Sequence, residues 1–238
     1  MARKTIKSNL GWSTADRIGV YGKDLPNEIL GHLNLGDMAF LGITGRVPNA
    51  KESKLFNAMA VTLVEHGITP SALVARLTYL GAPEAMQAAI AGGLLGLGSV
   101  FVGSTEGVAK MLSEGKDTKT LLAEMKRIPG LGHPIHKPVD PRTARLFEIA
   151  RETGFYGKYC RQMEEIAAAK KLTLNATGAI GALACELGLD WKCVRGIGVM
   201  ARAVGLVGHI LEETREPMAL EVWERMEEEA SAHLKPRK

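Results

Sequence analysis

Gly130-Leu131-Gly132-His133-Pro134-Ile135-His136-Lys137-Pro138-Val139-Asp140-Pro141-Arg142 is too rich in glycine and proline to be a helix or a strand. It reads as a loop that presents histidines and cations, with Arg142 opening a helix over 142–152. On the C-terminal side the pattern is helical over 156–170. A short extended stretch, 172–177, runs up to Gly178. Helices follow over 180–187 and 191–213, and 218–233 is a charged amphipathic helix.

On the N-terminal side, helices are expected over 118–127 and 105–113. The run Gly98-Ser99-Val100-Phe101-Val102-Gly103 breaks the pattern. Before it, 83–97 and 71–80 read as helices. The segment 51–66 carries Leu55, Ala58, Met59, Thr62 and Leu63 at amphipathic spacing, and Gly67 has the place of a left-handed cap. An apolar run over 38–43 stops at Thr44-Gly45-Arg46-Val47-Pro48. Pro26 opens a helix over 27–33, and residues 1–25 are irregular with a hairpin around Gly19 and Gly22. The expected fold class is all-α. The glycine breaks at 98–103 and 178 read as hinges. They divide the chain into a large helical domain, 1–102 and 179–238, and a small lobe, 103–178.

Composition bounds the function. Hydrophobic residues are 46% of the 238, ordinary for a globular protein, and the apolar set of Ala, Leu, Met and Gly favours helices over sheets. The net charge of +4 suits an anionic substrate, and no basic run alternates with aromatics, so nucleic acid is not expected. Lys235, Arg237 and Lys238 form a small basic tail. The apolar stretch 86–102 is short and weakly hydrophobic for a membrane span, and is expected as a buried core helix. The N-terminal MARKTIKSNL lacks the apolar core of a secretory signal. Cys160, Cys185 and Cys193 are odd in number and lack zinc-site spacing, so free thiols and a cytoplasmic location are expected, with no metal.

The loop, with three other motifs, resembles the citrate synthase superfamily, where the loop pattern reads roughly GFGHRVYK followed by DPR. Asp16 through Leu25 resembles the family's opening hairpin, and Leu41 through Pro48 its helix-ending "LLLTGRLP" turn. Met200 through His209 is similar to its late R-x-x-G-x-x-[AG]-H segment. The resemblance covers nearly the whole chain from Asp16 onward. The short length, and Phe101 in the slot where full synthases carry a catalytic histidine, look like the citryl-CoA lyase type and the C-terminal module of ATP-citrate lyase.

The resemblance implies a carbon–carbon lyase that cleaves citryl-CoA or a related 3-hydroxyacyl-CoA to acetyl-CoA and oxaloacetate or a related oxo acid. The same site would serve citrate synthase-type condensation, the first alternative. A non-catalytic CoA- or polycarboxylate-binding subunit is the second. It further implies a homodimer and coenzyme A as part of the substrate; the weak hydrophobicity of 86–102 leaves no membrane partner expected.

The resemblance also assigns residues. His133 would contact the hydroxyl or carbonyl oxygen of the dicarboxylate half, and a loop histidine can donate there; a plain backbone contact is the other reading. His66 would help bind that half, or simply favour a helix C-terminus. Arg142 and Arg202 match carboxylate clamps, for which a planar guanidinium fork is suited. Arg215 resembles an arginine that reaches the neighbouring protomer's site. A surface ion pair is the alternative for each arginine. For CoA, Leu131, Gly132 and Ile135 would contribute backbone contacts, and Lys126, Lys137 and Lys171 cations, unless these lysines are only solvated surface. Gly92-Gly93 suits close helix packing better than phosphate cradling. His209 is read as a satisfied core histidine.

Leu174-Asn175-Ala176-Thr177-Gly178 resembles the family's L-N-V-D-G, whose Asp is the base at the α-carbon of acetyl-CoA. Here Thr177 holds that slot, and a hydroxyl is no base near neutral pH. Four explanations stay open: the alignment slips, although no Asp or Glu occurs from Lys170 through Ala184; Glu106 or His136 supplies the proton; the substrate is not citryl-CoA and its enolate is protonated by water or a histidine; or activity is lost. Pro134 likewise replaces the arginine that usually follows the loop histidine.

Overall fold

The computed structural model describes Arg3 and residues 5–235, so Arg237 and Lys238 of the basic tail lie outside the described residues. Three short antiparallel strands open the fold: β1 (Gly11–Ser13), β2 (Ile18–Val20) and β3 (Lys23–Asp24). Gly22 turns the second hairpin at φ +77°, a conformation open to glycine. The helix expected over 27–33 is a single π-type turn, Leu25–Ile29; Leu30 already has extended backbone (ψ 124°).

Eleven α-helices follow among the described residues: α1 (Leu35–Thr44), α2 (Ala50–Val64), α3 (Pro70–Gly81), α4 (Met86–Leu95), α5 (Gly103–Ser113), α6 (Thr118–Glu124), α7 (Pro141–Thr153), α8 (Lys158–Lys170), α9 (Ala176–Glu186), α10 (Trp191–Arg215) and α11 (Ala219–Ser231). Asn34 and Asn49 cap α1 and α2 in reciprocal boxes with Asp37 and Glu52, which satisfies amide donors the first turns leave open. Asp140 caps α7 ahead of Pro141, and Asn175 caps α9.

The core gathers residues of α2, α5, α7, α8, α9 and α10 around Phe56, Met59, Leu112, Met163, Ile166 and Leu183. Helix α9 is buried along nearly its whole length. It can be central because it is small-sided: a Cβ on Gly181 would stand 2.6 Å from Val108 Cβ on α5. Helix α10 is long and apolar enough to cross a membrane by length and composition, but half of its apolar window is buried inside the protein, where it serves as a core helix.

Three further expectations are corrected. The stretch 86–102 is no buried helix. Gly98, at φ +50°, helps bend it into α4 and a π-type turn, Gly98–Val102, and Leu95 and Val100 stand 85% and 79% exposed. Helix α4 packs through its small residues, Ala89, Gly92 and Gly93, against α3 and Leu206. Second, α2 ends at Val64 rather than running to His66. Glu65 is extended and Gly67 turns at φ +70°, so His66 sits in a tight turn instead of on a helix end. Likewise α9 begins at Ala176, which puts Thr177 in its first turn; of the expected extended stretch, Leu174 bridges Leu131.

Candidate active site

The loop of residues 130–142 is tied to the strand-like run before α9. The Gly132 amide donates to Thr173 O at 2.7 Å, and the Asn175 amide to Gly130 O at 3.1 Å. Asn175 Nδ2 donates to Gly132 O at 2.8 Å. Only glycines permit the approach. A Cβ on Gly130 would fall 2.4 Å from Gly178 Cα, and one on Gly178 2.5 Å from Gly130 O.

This arrangement closes one wall of a cavity of about 360 Å³. His66, Phe101, His133, Arg142, Thr177 and Arg202 all line it, although they come from five separate parts of the chain, His133 and Arg142 sharing the loop. Among the described residues, no aspartate or glutamate does. The N-terminal ends of α3 and α9 also line it, through Thr69, Pro70 and Ser71 and through Asn175, Ala176 and Thr177. Two guanidiniums and two helix N-termini make a site for anions.

His133 Nδ1 accepts from the amides of Ile135 (3.1 Å) and His136 (3.0 Å). The ring hydrogen therefore belongs on Nε2. Arg142 Nη2 lies 3.2 Å from that Nε2, and arginine cannot accept a hydrogen bond. Two donors thus stand side by side, and an oxygen acceptor can use both. Burial, then His136 and Arg142, hold the His133 pKa below its ordinary value; Asp140 opposes them. Burial, then Arg142 and Arg202, lower that of His66, whose ring centroid is 6.2 Å from His133's.

Arg142 is held by Asp140, which is fully buried. Burial alone would raise the Asp140 pKa, but its hydrogen bonds from Arg142 and the Ala176 amide bring it below the usual carboxylate range. Arg202 is different. It is 6% exposed, its Nη1 reaches only Thr69 Oγ1 at 3.4 Å, and its Nε has no partner. No carboxylate lies within 4 Å of it among the described residues. A buried, unpaired cation on a cavity wall is a place for a substrate carboxylate. Thr177 Oγ1 donates to Asn175 Oδ1 at 2.7 Å.

Gly132 and His133 also line a second, larger groove of about 990 Å³, with Lys137, Lys171, Arg151 and Phe147 along it. Leu131, Ile135 and Lys126 do not line it, and Ile135 is exposed. Arg215, exposed at the end of α10, lines neither. Glu106 is paired with Arg195, and neither it nor His136 lines the smaller cavity. His209 is buried and bonded to Arg76 and Glu65. The sequence reading missed Asp140 as the partner of Arg142, though an Asp before Pro-Arg at a helix start is the pattern of an N-cap.

The sequence profile of the citrate synthase C-terminal domain family matches residues 26–222, and the chain belongs to that family. A citryl-CoA lyase from Hydrogenobacter thermophilus is similar in structure, with a TM-score of 0.81 and 34% identity over 88% of this chain and 87% of that one. A citrate synthase from Thermotoga maritima shares the fold, with a TM-score of 0.65 and 24% identity over 79% of this chain and 55% of that one. Among curated relatives, a probable ATP-citrate synthase of Dictyostelium discoideum is 26% identical over 91% of this chain, which spans 39% of that protein. Citrate synthase 2 of Bacillus subtilis is 28% identical over 72% of this chain. The chain spans half the length of these curated relatives or less.

Proposed function

We propose that this chain is a carbon–carbon lyase that cleaves citryl-CoA, or a related 3-hydroxyacyl-CoA, to acetyl-CoA and oxaloacetate or a related oxo acid. The observation that carries the reading is the cavity wall: two guanidiniums, two histidines and, among the described residues, no carboxylate, beside a groove with Lys137 and Lys171. The likeness to a citryl-CoA lyase over nearly the full length of both chains supports it.

In the cleavage, the tertiary hydroxyl gives its proton to water or a histidine and the carbon–carbon bond breaks. The electron pair leaves on the thioester fragment as an enolate, which then takes up a proton. His133 Nε2–H and Arg142 Nη2 would both donate to the oxygen that carries charge as alkoxide and becomes the oxo-acid carbonyl. Arg202, with the N-terminus of α3, would hold a carboxylate. The CoA arm would run along the larger groove, its phosphates near Lys137 and Lys171. The lining of that groove falls within residues 132–174, which supports treating 103–178 as a CoA-binding lobe. Enolate protonation falls to water or a histidine, because Thr177 offers no carboxyl group to deliver the proton.

Condensation in the opposite direction uses the same groups and is retained. Thr177 favours one further reading, a CoA- or polycarboxylate-binding subunit without turnover. We also propose a homodimer. Leu77 and Leu80 on α3, Leu95 on α4, Leu211 on α10, and Leu220 and Trp223 on α11 are each 40% exposed or more, an apolar surface that a second copy would cover. Light scattering after gel filtration tests that state.

Incubation with citryl-CoA and mass spectrometry of the products tests the function. Acetyl-CoA plus oxaloacetate, absent with His133→Ala, is the expected result. Citrate plus free CoA would replace lyase by synthase-like hydrolysis. Unchanged citryl-CoA would remove it as the substrate.

A further inference from the structure

Outside the cavity lining lies a charged cluster that the chemistry above leaves unused. Arg76 on α3 is 1% exposed. Its Nη1 donates to Glu213 at 2.7 Å, and it also pairs with Glu212. Its Nε and Nη2 face His209 Nδ1 at 3.3 and 3.0 Å. A guanidinium only donates, so His209 Nδ1 is the acceptor and the ring hydrogen is on Nε2. That Nε2 points at Glu65, 3.2 Å from Oε1 and 3.0 Å from Oε2. Glu65 Oε1 in turn accepts the backbone amides of His66, at 2.8 Å, and of Gly67.

The chain of donors is directional from end to end. Arg76 sets the tautomer of His209, His209 orients the Glu65 carboxylate, and the carboxylate closes the turn that carries His66. The backbone before this turn is pinned independently: Val64 O sits where a Cβ on Gly205 would be only 2.0 Å away. Val64 is therefore fixed by packing against α10, whereas the path of His66 and Gly67 depends on the carboxylate. Glu65 keeps 48% of its side chain exposed. Without His209 it would be free to sample other rotamers in water.

We propose that His209 is a positioning residue for His66, acting through Glu65. The proposal rests on the reading that His66 serves the reaction at the cavity. It places a single buried imidazole between the anchor of α11, through Glu213 and the Met218 and Ala219 amides it accepts, and the cavity wall.

The test uses the full chain, with the ring signals of His66 followed by NMR and citryl-CoA turnover measured in parallel. Three variants are compared: His209→Leu, His209→Gln and Glu65→Ala. Gln can accept from Arg76 with its oxygen and donate to Glu65 with its amide; Leu can do neither. His209→Leu and Glu65→Ala are expected to shift the His66 ring signals and to lower kcat roughly tenfold, with KM within about twofold, because the bound substrate meets a misplaced imidazole. His209→Gln is expected to restore both. Unaltered His66 signals in Glu65→Ala, or a Gln variant as impaired as the Leu variant, would overturn the proposal. If His209→Leu does not fold, Glu65→Ala and His209→Gln decide. If the wild-type protein leaves citryl-CoA intact, the lyase reading fails while the NMR comparison still decides the role of His209.

Discussion

Asp140 grips Arg142 with both oxygens, Oδ1 to Nε at 3.0 Å and Oδ2 to Nη2 at 2.8 Å, while Oδ2 also accepts the Ala176 amide at 3.1 Å. One buried carboxylate therefore caps α7, aims the guanidinium at the cavity and fastens the start of α9. Asp140→Asn keeps the size but replaces an accepting oxygen with a donor that faces another donor. We expect a loss of roughly 3 kcal/mol in stability, the scale for a broken buried ion pair, read from urea unfolding. kcat/KM on citryl-CoA should fall as Arg142 drifts. A variant with wild-type stability would mean that Arg142 and α9 are held by something else.

Arg202 gives the opposite trade. Its burial without a counter-charge depresses its pKa and costs folding energy, with Glu65 offering only distant relief. Arg202→Met removes that cost, and the protein should unfold at equal or higher urea concentration, by about 1 kcal/mol. Binding of oxaloacetate should weaken about 30-fold, the loss of one charge-assisted hydrogen bond of about 2 kcal/mol, measured by calorimetry. Unchanged affinity would place the carboxylate elsewhere.

Much of this was legible in the sequence, for physical reasons. The helices of the core follow from apolar spacing, and the loop before α7 from its glycines and prolines. What failed were places where tertiary contact overrides the local pattern. The apolar run 86–102 reads as core, but only Ala89, Gly93, Leu97 and Val102 in it are buried in this chain. His66 reads as a helix-end residue, but Glu65 turns back on its own following amides and ends α2 early. The site residues could be proposed from motif order. Their convergence could not, because Phe101, Thr177 and Arg202 meet only through the packing of α9 and α10. Nor does any spacing announce that Arg76 and His209, 133 positions apart, touch.

The two cavity histidines set a pH dependence. Both pKa values are lowered from the ordinary 6.5, by burial first and then by neighbouring cations. Above 6.5 the rings are unprotonated in both the folded and unfolded chain and add nothing to the slope. As pH falls below 6.5 the unfolded chain takes up protons first, so stability drops until the folded rings also titrate. The acid limb of kcat/KM should accordingly lie below 6.5. In Arg202→Met, where one of the cations lowering His66 is gone, the limb should move up towards 6.5. A wild-type limb above 6.5 would contradict the environment described for both rings.

Thr177 sits in the first turn of α9, its hydroxyl committed to Asn175 Oδ1, at the edge of a cavity that no carboxylate lines among the described residues. An aspartate there loses that hydrogen bond and faces the Asn175 oxygen. It gains the helix N-terminus and the two cavity guanidiniums, so Thr177→Asp should fold with a stability change within about 1 kcal/mol. If this slot faces the α-carbon of the thioester, the new carboxylate supplies the missing base. Exchange of the acetyl-CoA methyl protons with deuterated water should then rise about 100-fold, the scale of general base catalysis, followed by NMR. Thr177→Asn, equal in size and without basicity, should show no rise. A folded Thr177→Asp protein whose exchange stays at the wild-type rate would place the α-carbon away from α9, and the proton would have to be sought beside His66 or His133.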